Sequence, residues 1–414
     1  MLAQRGSAAI AVLVLAALAD PETLGTVSIA TLLLTLYQAL FEAPLRQSGY
    51  RAVSGGRAGI AMLRRLAFIG SVVGALALAI SIASVLIVLA GPRSQMILVA
   101  YALVPAIVGW YLPALLVEQH TGRWVAVAAR RMVAVFVGLG LAAASLLILE
   151  PVFAVVVLTC SAEVIFGALT RMSAKRIDEL YEGRAEFDTS VYRHDLLSTC
   201  ALSLFGWLRG QLDRVAIVAI AGPTLLGSFT LSYAVARAPA DAAMAGMSNM
   251  FRSELASGLQ SSDQFRRLLA RQYVRLIVVG TVCFLVSIIL SFSLASFLGD
   301  DWRQSLSVVP LLASSVYTSG FVWSVNALLN HVGLAKRVYG IQWFEVCLSV
   351  LVGVVMVQSF VLGVAVLLIR EFVGACLTSY VARRFVSRLT VARWAGASIC
   401  SLAVSCALWF VVGA

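Results

Sequence analysis

Stretches of about 20 apolar residues recur along the whole chain, and they restrict its fold more than any other feature. A helix of that length crosses about 30 Å of hydrocarbon. Of the 414 residues, 61% are hydrophobic and 12% are charged, roughly half the charged fraction of an ordinary soluble domain. The ten-residue alternation typical of membrane barrels is absent from the sequence. The pattern predicts an all-α integral membrane protein in which no soluble domain is large enough to fold alone.

The apolar stretches predict about thirteen transmembrane helices, which we number segments 1 to 13. They run over residues 7–19, 24–42, 66–90, 95–117, 132–149, 151–170, 196–221, 223–249, 274–298, 304–330, 338–357, 360–382 and 394–413.

Basic residues are distributed unevenly between the predicted connections. If the N-terminus is cytoplasmic, most of the 31 Lys and Arg lie on the cytoplasmic side, Arg46, Arg130 and Arg131 among them, whereas Arg93 and Arg303 lie outside. This positive-inside bias supports both the segment count and the orientation. The net charge of +11 therefore reflects topology and anionic lipid, and we expect no nucleic-acid partner. We expect a multi-pass protein of the plasma (inner) membrane.

All seven cysteines fall in predicted helices, without the CxxC pair or neighbouring histidine of a metal site. We interpret them as small buried hydrophobic residues and expect no cofactor. Segment 1 is short, and Ala17-Leu18-Ala19 before Asp20 mimics a signal-peptidase site. A cleaved signal is therefore the alternative to a first membrane helix, and the sequence leaves open whether that helix is complete.

A short motif occurs twice at a constant offset of 202 positions. Residues 21–28 read PETLGTVS and residues 223–230 read PTLLGSFT, so that Pro21 matches Pro223 and Gly25 matches Gly227. Proline fixes φ where a helix restarts, and glycine is expected to permit a tight external turn. Six segments separate the copies, an even number, so both halves lie the same way up as a parallel repeat.

The repeat predicts four regions of the chain. Residues 1–171 form an N-terminal lobe of segments 1 to 6, and residues 172–195 form a cytoplasmic linker. Residues 196–382 form a C-terminal lobe of segments 7 to 12, and residues 383–414 hold an additional transmembrane segment. The linker carries a dense run of mixed charge, for which a helix lying on the membrane and a solvated connector remain alternatives.

Several charged residues fall at hydrocarbon depth, where each costs roughly 2.5–3.5 kcal/mol unless it is paired or hydrated. Arg237 and Asp241 are four apart on segment 8 and share a helix face with Tyr233. A polar stripe of this kind points into a bundle or a water-filled cavity rather than at lipid. The alternative to a functional site is an internal salt bridge that neutralises itself.

The intramembrane basic residues are arginines, which favours bidentate recognition of phosphate or carboxylate. The predicted substrate-binding residues are Arg209, Arg214, Tyr233, Arg237, Asn326 and Arg370. The acids predicted to couple transport to a proton or sodium ion are Glu163, Asp213, Asp241 and Glu371. Arg209 and Arg237 lie at similar depths on antiparallel segments, so we expect them to clasp an anionic headgroup together.

Two stretches resemble a known family. Residues 18–47, LADPETLGTVSIATLLLTLYQALFEAPLRQ, resemble the opening of the polysaccharide-transporter (Wzx-type) lipid-linked oligosaccharide flippases, in which a Pro-x-x-x-Gly turn joins the first two helices. Residues 210–239, GQLDRVAIVAIAGPTLLGSFTLSYAVARAP, are similar to segments 7 and 8 of that family. The matching positions are Asp213, Gly222, Leu226, Gly227, Tyr233, Ala234 and Pro239.

The resemblance implies the multidrug/oligosaccharidyl-lipid/polysaccharide exporter fold, with two six-helix lobes around a central cavity that opens alternately to each side. It implies that a polyprenyl-pyrophosphate-linked oligosaccharide crosses to the outer leaflet for cell-surface polysaccharide synthesis, with Arg209 and Arg237 meeting the pyrophosphate. The chain departs from many members in its short first helix and in having thirteen predicted helices where those members have fourteen.

Other functions remain as alternatives. A drug or cation extruder of the same superfamily would share the fold but typically relies on acids in the N-terminal lobe. A non-transporting scaffold of a glycan-assembly complex is a further alternative. A membrane enzyme would need large external loops and a catalytic motif, neither of which the sequence contains, so we expect no enzyme. The expected partners are a lipid-linked glycan, membrane lipids and glycan-assembly proteins.

Overall fold

The structure is a computed structural model, and it describes residues 2–90, 96–174, 189–256, 262–332 and 334–413. All regular structure within these ranges is helical. In chain order the long helices are α1 Leu2–Leu18, α2 Pro21–Ser54, α3 Gly56–Ala90, α4 Leu103–His120, α5 Trp124–Ser145, α6 Pro151–Ala174, α7 Thr189–Ala221, α8 Pro223–Ala256, α9 Ser262–Ala295, α10 Val309–His331, α11 Ala335–Gln358, α12 Phe360–Val381 and α13 Arg388–Gly413.

Thirteen long helices match the thirteen predicted segments in order, which confirms the predicted all-α membrane fold. Ten of the described helices are long and apolar enough to cross a membrane. The described apolar part of α1 is shorter, covering Ala9–Leu18. The two remaining helices, α7 and α8, carry the polar stripe and most of the predicted intramembrane charges. Their polarity therefore marks where the sequence departs from simple lipid-crossing helices.

Apolar side chains cover the outside of the helices. Phe68 and Ile80 on α3 are 67% and 66% exposed, and Phe136 on α5 is 64% exposed. A soluble protein seldom exposes so much apolar surface, whereas lipid tails cover it in a membrane. By contrast, most of α10 is buried, because it packs against α8, α9, α12 and α13.

The chain forms two compact units. The N-terminal unit comprises Thr26–Gln211, and the C-terminal unit comprises Met1–Gly25 together with Leu212–Ala414. These boundaries differ from those of the predicted lobes, because α1 packs against α8 and so joins the second half of the chain. The division into lobes at residues 171 and 196 describes internal similarity and stays a prediction.

The repeated motif supplies the start of two helices, as predicted. Pro21 begins α2 and Pro223 begins α8, at the first helical position, where a missing N–H has no cost. The two glycines, however, do not form the turns. Gly25 and Gly227 lie inside α2 and α8, and the positive φ of 84° belongs to Gly222.

Each repeat glycine instead contacts the other copy of the motif. A Cβ at Gly25 would lie 1.8 Å from the carbonyl oxygen of Pro223, and a Cβ at Gly227 would lie 1.8 Å from the carbonyl oxygen of Pro21. Glycine is required here because two backbones cross in van der Waals contact. The expectation of a turn glycine was wrong, and close approach of the two copies replaces it.

Two further expectations change. Residues 175–188 of the predicted linker lie outside the described residues, and residues 189–195 already belong to α7. The cysteines are not uniformly buried. Cys283 is buried, whereas Cys347, Cys376 and Cys400 are exposed. An exposed cysteine on a membrane helix behaves as a small apolar side chain among lipid tails. A cysteine therefore suits a buried and a lipid-facing position equally, and the sequence could not show which position each one takes.

Candidate functional site

Arg237 on α8 is the centre of a buried polar cluster in the C-terminal unit. The residue is 3% exposed. Its Nη1 donates to Ser315 Oγ of α10 at 2.8 Å, and its Nη2 donates to Asp241 Oδ1 at 3.2 Å. Its Nε is buried and makes no hydrogen bond to any described residue. A charged group buried with one unused donor carries a free-energy cost, so the predicted salt bridge satisfies Arg237 in part.

Asp241 is the more accessible partner in this pair. Its side chain is 22% exposed, against 4% for the Arg237 side chain. The carboxylate therefore faces the more open side of the cluster, while the guanidinium lies behind it. An i, i+4 ion pair on one helix holds both groups on the same face, as the sequence predicted.

A second arginine stands beside this pair. The guanidinium of Arg214, near the end of α7, lies 4.7 Å from the centre of the Tyr233 ring on α8. This cation–π contact orients the guanidinium through its face, so the contact itself uses none of the N–H groups of the arginine. Glu371 on α12 interacts electrostatically with both Tyr233 and Arg237. The structure thus brings together Arg214, Tyr233, Arg237, Asp241 and Glu371, all of which the sequence singled out.

Asp213 on α7 and Arg370 on α12 form a second ion pair, which is longer than the Arg237–Asp241 pair. The two residues are the sequence neighbours of Arg214 and Glu371. Asp213 Oδ2 lies 3.9 Å from Arg370 Nη1, beyond hydrogen-bond distance. Arg370 Nη1 donates instead to Ser349 Oγ on α11. Asp213 Oδ1 accepts the backbone N–H of Arg214 at 2.9 Å. Both side chains are buried, so this pair connects α7, α11 and α12 within the unit.

Two further residues predicted to bind substrate are Asn326 and Arg209. The Oδ1 of Asn326 on α10 is buried and has no hydrogen-bond partner among the described residues. Arg209 on α7 belongs to the N-terminal unit, whereas Arg237 belongs to the C-terminal unit. The expectation that these two arginines clasp one headgroup together stays a prediction.

The N-terminal unit contains a buried cluster around Glu163 of α6. Arg131 of α5 forms a bidentate pair with its carboxylate, donating from Nη1 to Oε2 at 2.9 Å and from Nη2 to Oε1. Tyr111 Oη on α4 donates to Oε2 at 2.7 Å. The Arg131 guanidinium also lies 4.9 Å from the centre of the Phe166 ring. Both carboxylate oxygens are therefore occupied by strong donors.

Two other ion pairs accompany this cluster. Arg130 Nη2 pairs with Glu118, which is fully buried, and Arg130 Nη1 donates to the carbonyl of Leu169 at 3.2 Å. Arg46 Nη2 lies 2.6 Å from Glu42. The sequence had counted Arg46, Arg130 and Arg131 with the basic residues of the cytoplasmic side. That placement stays a prediction, and the structure adds that the side chains of Arg130 and Arg131 are only 15% and 13% exposed and pair with buried acids.

Sequence reasoning missed these partners because they lie far apart in the chain. Arg131 and Glu163 are separated by 32 residues and Arg130 and Glu118 by 12, so no helical spacing links them. The sequence places Arg130 and Arg131 just before segment 5 and Glu163 in segment 6, but it does not show which of these side chains meet. Buried ion pairs therefore occur in the N-terminal unit as well as in the C-terminal unit.

The chemistry of both clusters is ionic. Among the described residues, no group of three or more His, Cys, Asp or Glu is arranged to hold a metal ion. The C-terminal cluster combines two arginines, an aromatic ring and two acids, which suits an anion of extended shape and an exchangeable proton or monovalent cation. The N-terminal cluster matches each acid with its own arginine.

Comparison with known proteins identifies a family for this chain and a solved structure with a similar fold. A family model described as "Polysaccharide biosynthesis protein" matches residues 14–277. A solved structure entitled "Inward-facing conformation of a multidrug resistance MATE family transporter of the MOP superfamily" superposes with a TM-score of 0.56. The match covers 96% of this chain and 95% of that one at 12% identity, so it shows the fold. No curated protein matches.

Proposed function

This chain belongs to the polysaccharide biosynthesis protein family, and we propose that it is a flippase for a polyprenyl-pyrophosphate-linked oligosaccharide. The glycolipid would cross the plasma (inner) membrane by alternating access, to supply cell-surface polysaccharide synthesis. The fold is that of a transporter of the MOP superfamily. The observation that carries the substrate class is the buried guanidinium of Arg237, with its unused Nε and its accessible counter-ion.

A pyrophosphate is suited to this cluster for electrostatic reasons. It offers several anionic oxygens, which are strong acceptors for arginine N–H groups. The oxygens would replace the Asp241 carboxylate on Arg237, since Asp241 is the more exposed partner, and would also reach Arg214 on its Tyr233 ring. Two anions would therefore compete for one arginine.

This competition also supplies a means of coupling. Once the headgroup displaces Asp241, that carboxylate loses its positive neighbour and becomes available to a proton or a sodium ion. Release of the headgroup restores the Arg237–Asp241 pair and expels the ion. Asp213 and Glu371 would act in the same way beside Arg370 and Arg237. Glu163 is the least suited of the predicted coupling acids, because Arg131 and Tyr111 already occupy both its oxygens.

A drug or cation extruder is the alternative that the fold alone permits, because the superposed structure is a multidrug transporter. An organic cation needs acids that are not already neutralised. In the N-terminal unit, Glu163 and Glu118 each form an ion pair with an arginine. The charge balance of the described residues therefore supports an anionic substrate. A scaffold that does not transport would not need an Arg237–Asp241 pair that can exchange partners.

Binding of a short-chain polyprenyl pyrophosphate to the purified protein tests this proposal. Arg237→Gln is expected to weaken binding by about tenfold or more, since a charged hydrogen bond contributes about 1.5–3 kcal/mol. Asp241→Asn should bind as tightly as the wild type or more tightly, because the competing anion is removed. Arg123→Gln, an exposed arginine just before α5, is the matched control.

Two results would argue against the anionic headgroup. One is unchanged pyrophosphate binding in Arg237→Gln. The other is an equal loss in Arg237→Gln and Asp241→Asn, which would mean that the pair matters for folding alone. If the wild type bound a lipophilic cation in preference to the pyrophosphate, and Asp241→Asn lost that binding, the extruder alternative would be correct.

Glycan export in cells tests the two remaining expectations. Arg209→Ala combined with Arg237→Ala should abolish export while the protein remains in the membrane, and normal export would exclude the shared clasp. Neutralising Asp213, Asp241 or Glu371 should make export insensitive to the ion gradient. Gradient dependence that persists in all three variants would exclude these acids as coupling residues.

A further inference from the structure

A cavity lies at the end of α9 and the start of α10, and it shares no residue with the candidate substrate site. Its volume is about 330 Å³, at the lower end of the range for small-molecule sites. The chain between the two helices forms its wall, through the 3₁₀ turn Asp300–Trp302 and the short helix Arg303–Ser307. The cavity is thus built by the short connection together with the last turns of α9 and the first turn of α10.

Opposite charges stand side by side at this cavity. Asp300 and Arg303 both line it, and the Arg303 backbone N–H donates to the Asp300 carbonyl across the 3₁₀ turn. Residues three apart in such a turn are eclipsed, so their side chains leave the backbone on the same face. No salt bridge is found at either side chain among the described residues. Both charges therefore stay available at the cavity.

Most of the remaining lining is apolar, with Ser291 and Ser307 as the polar exceptions. Phe292, Leu306 and Pro310 line the cavity beside the two charges. Phe297, in the same connection, is 85% exposed, and an apolar ring so exposed on a membrane protein is covered by lipid. The cavity therefore has both charged and apolar lining at the place where the chain leaves α9 and enters α10, and headgroups surround the ends of membrane-crossing helices.

We propose that this cavity binds the headgroup of a zwitterionic aminophospholipid. The lipid phosphate would lie on Arg303, and its primary ammonium would donate to Asp300. The glycerol and first acyl carbons would follow Phe292 and Pro310. An anionic headgroup without an ammonium would leave Asp300 facing a like charge, and a trimethylated ammonium would have no N–H to donate. The inference is independent of the glycan substrate proposed above.

Lipid binding to the purified full-length protein, measured by native mass spectrometry, tests this site. Three lipids with identical acyl chains serve as probes: phosphatidylethanolamine, phosphatidylcholine and phosphatidylglycerol. We expect the wild type to bind phosphatidylethanolamine about fivefold better than the other two, the size of one exposed ion pair. Arg303→Gln should lower the affinity for phosphatidylethanolamine about fivefold. Asp300→Asn should remove the preference over phosphatidylglycerol.

A matched control is available in Asp301→Asn, because Asp301 is adjacent, exposed and outside the cavity lining. This variant should keep the wild-type order of the three lipids. A wild-type preference for phosphatidylglycerol or phosphatidylcholine would overturn the proposal. An unchanged affinity for phosphatidylethanolamine in Arg303→Gln, or an unchanged lipid preference in Asp300→Asn, would overturn it as well.

Discussion

The two compact units each bury an arginine against an acid, but they do so differently. In the N-terminal unit, Arg131 and Tyr111 occupy both oxygens of Glu163. In the C-terminal unit, Arg237 keeps an unused Nε, and its partner Asp241 is 22% exposed. We call the Arg131–Glu163 pair closed, because both carboxylate oxygens have donors. We call the Arg237–Asp241 pair open, because its carboxylate is partly exposed.

This difference separates a charge pair whose hydrogen bonds are saturated from one that could exchange a partner. In a saturated pair the donors and acceptors already bind one another, so they are not available to a ligand. The contribution of such a pair is to hold α4, α5 and α6 together. An unsaturated pair can exchange one partner for another at modest cost, because the displaced acid can be hydrated. The presence of charge within a membrane helix is thus a weaker guide to function than the state of its hydrogen bonds.

The largest expected effect concerns the closed pair. Glu163→Gln should lower the free energy of unfolding by about 3–5 kcal/mol, because Arg131 is left buried without its counter-charge. Thermal unfolding of the detergent-purified protein measures the loss, with the exposed Glu150→Gln as the control. Replacing both residues by Leu should recover most of the stability. A loss below about 1 kcal/mol for Glu163→Gln would show that the pair is not structural.

The open pair should respond less in stability. Arg237→Gln is expected to lower the free energy of unfolding by about 1–3 kcal/mol, since Asp241 can be hydrated from its exposed side. The same unfolding measurement applies. If Arg237→Gln costs as much stability as Glu163→Gln, the distinction between a closed and an open pair fails.

The two tyrosines provide a finer comparison. Tyr111→Phe removes one hydrogen bond to Glu163 and should cost about 1–2 kcal/mol. Tyr233→Phe keeps the ring face beneath Arg214 and should change stability by less than about 0.5 kcal/mol. Equal losses in the two variants would mean that the Tyr233 hydroxyl, rather than its ring, supports the C-terminal cluster.

A similarly small effect, which depends on pH, is expected outside the membrane helices, at the turn before α2. The Thr23 N–H donates to Asp20 Oδ1 at 2.8 Å, and hydrogen bonds from Thr23 lower the pKa of the Asp20 carboxyl from its ordinary 3.8. A lowered pKa in the folded state gives stability that is complete above pH 3.8 and is lost as the pH falls through the lowered value.

Asp20→Asn isolates this effect, because Asn caps a helix about as well as Asp but does not titrate. The variant should match the wild type at neutral pH and lose less stability, by about 0.5 kcal/mol, when unfolding is measured below pH 3.8. The second copy of the motif has Gly222 at the equivalent position, so no acid response is expected there. An unchanged acid response in Asp20→Asn would assign it to the buried clusters instead.

The sequence predicted the helices well because membrane helices are set by the length of apolar stretches, a local property. It also predicted the Arg237–Asp241 pair and Tyr233, because these residues share one helix face at spacings of four. It could not predict Arg131–Glu163, which joins two helices, nor the burial of Arg130. It assigned a turn to Gly25 and Gly227, since a glycine that admits a neighbouring backbone looks the same in sequence as one that forms a turn.

The contact between the two motif copies has a consequence for how the protein is made. Gly25 lies against Pro223, and at about 5–20 residues per second a ribosome needs about 10–40 s to synthesise the chain between them. During that interval α1 and the start of α2 have no α8 to pack against. The beginning of this protein must therefore wait in the bilayer, in contact with lipid or with the insertion machinery, until the middle of the chain arrives.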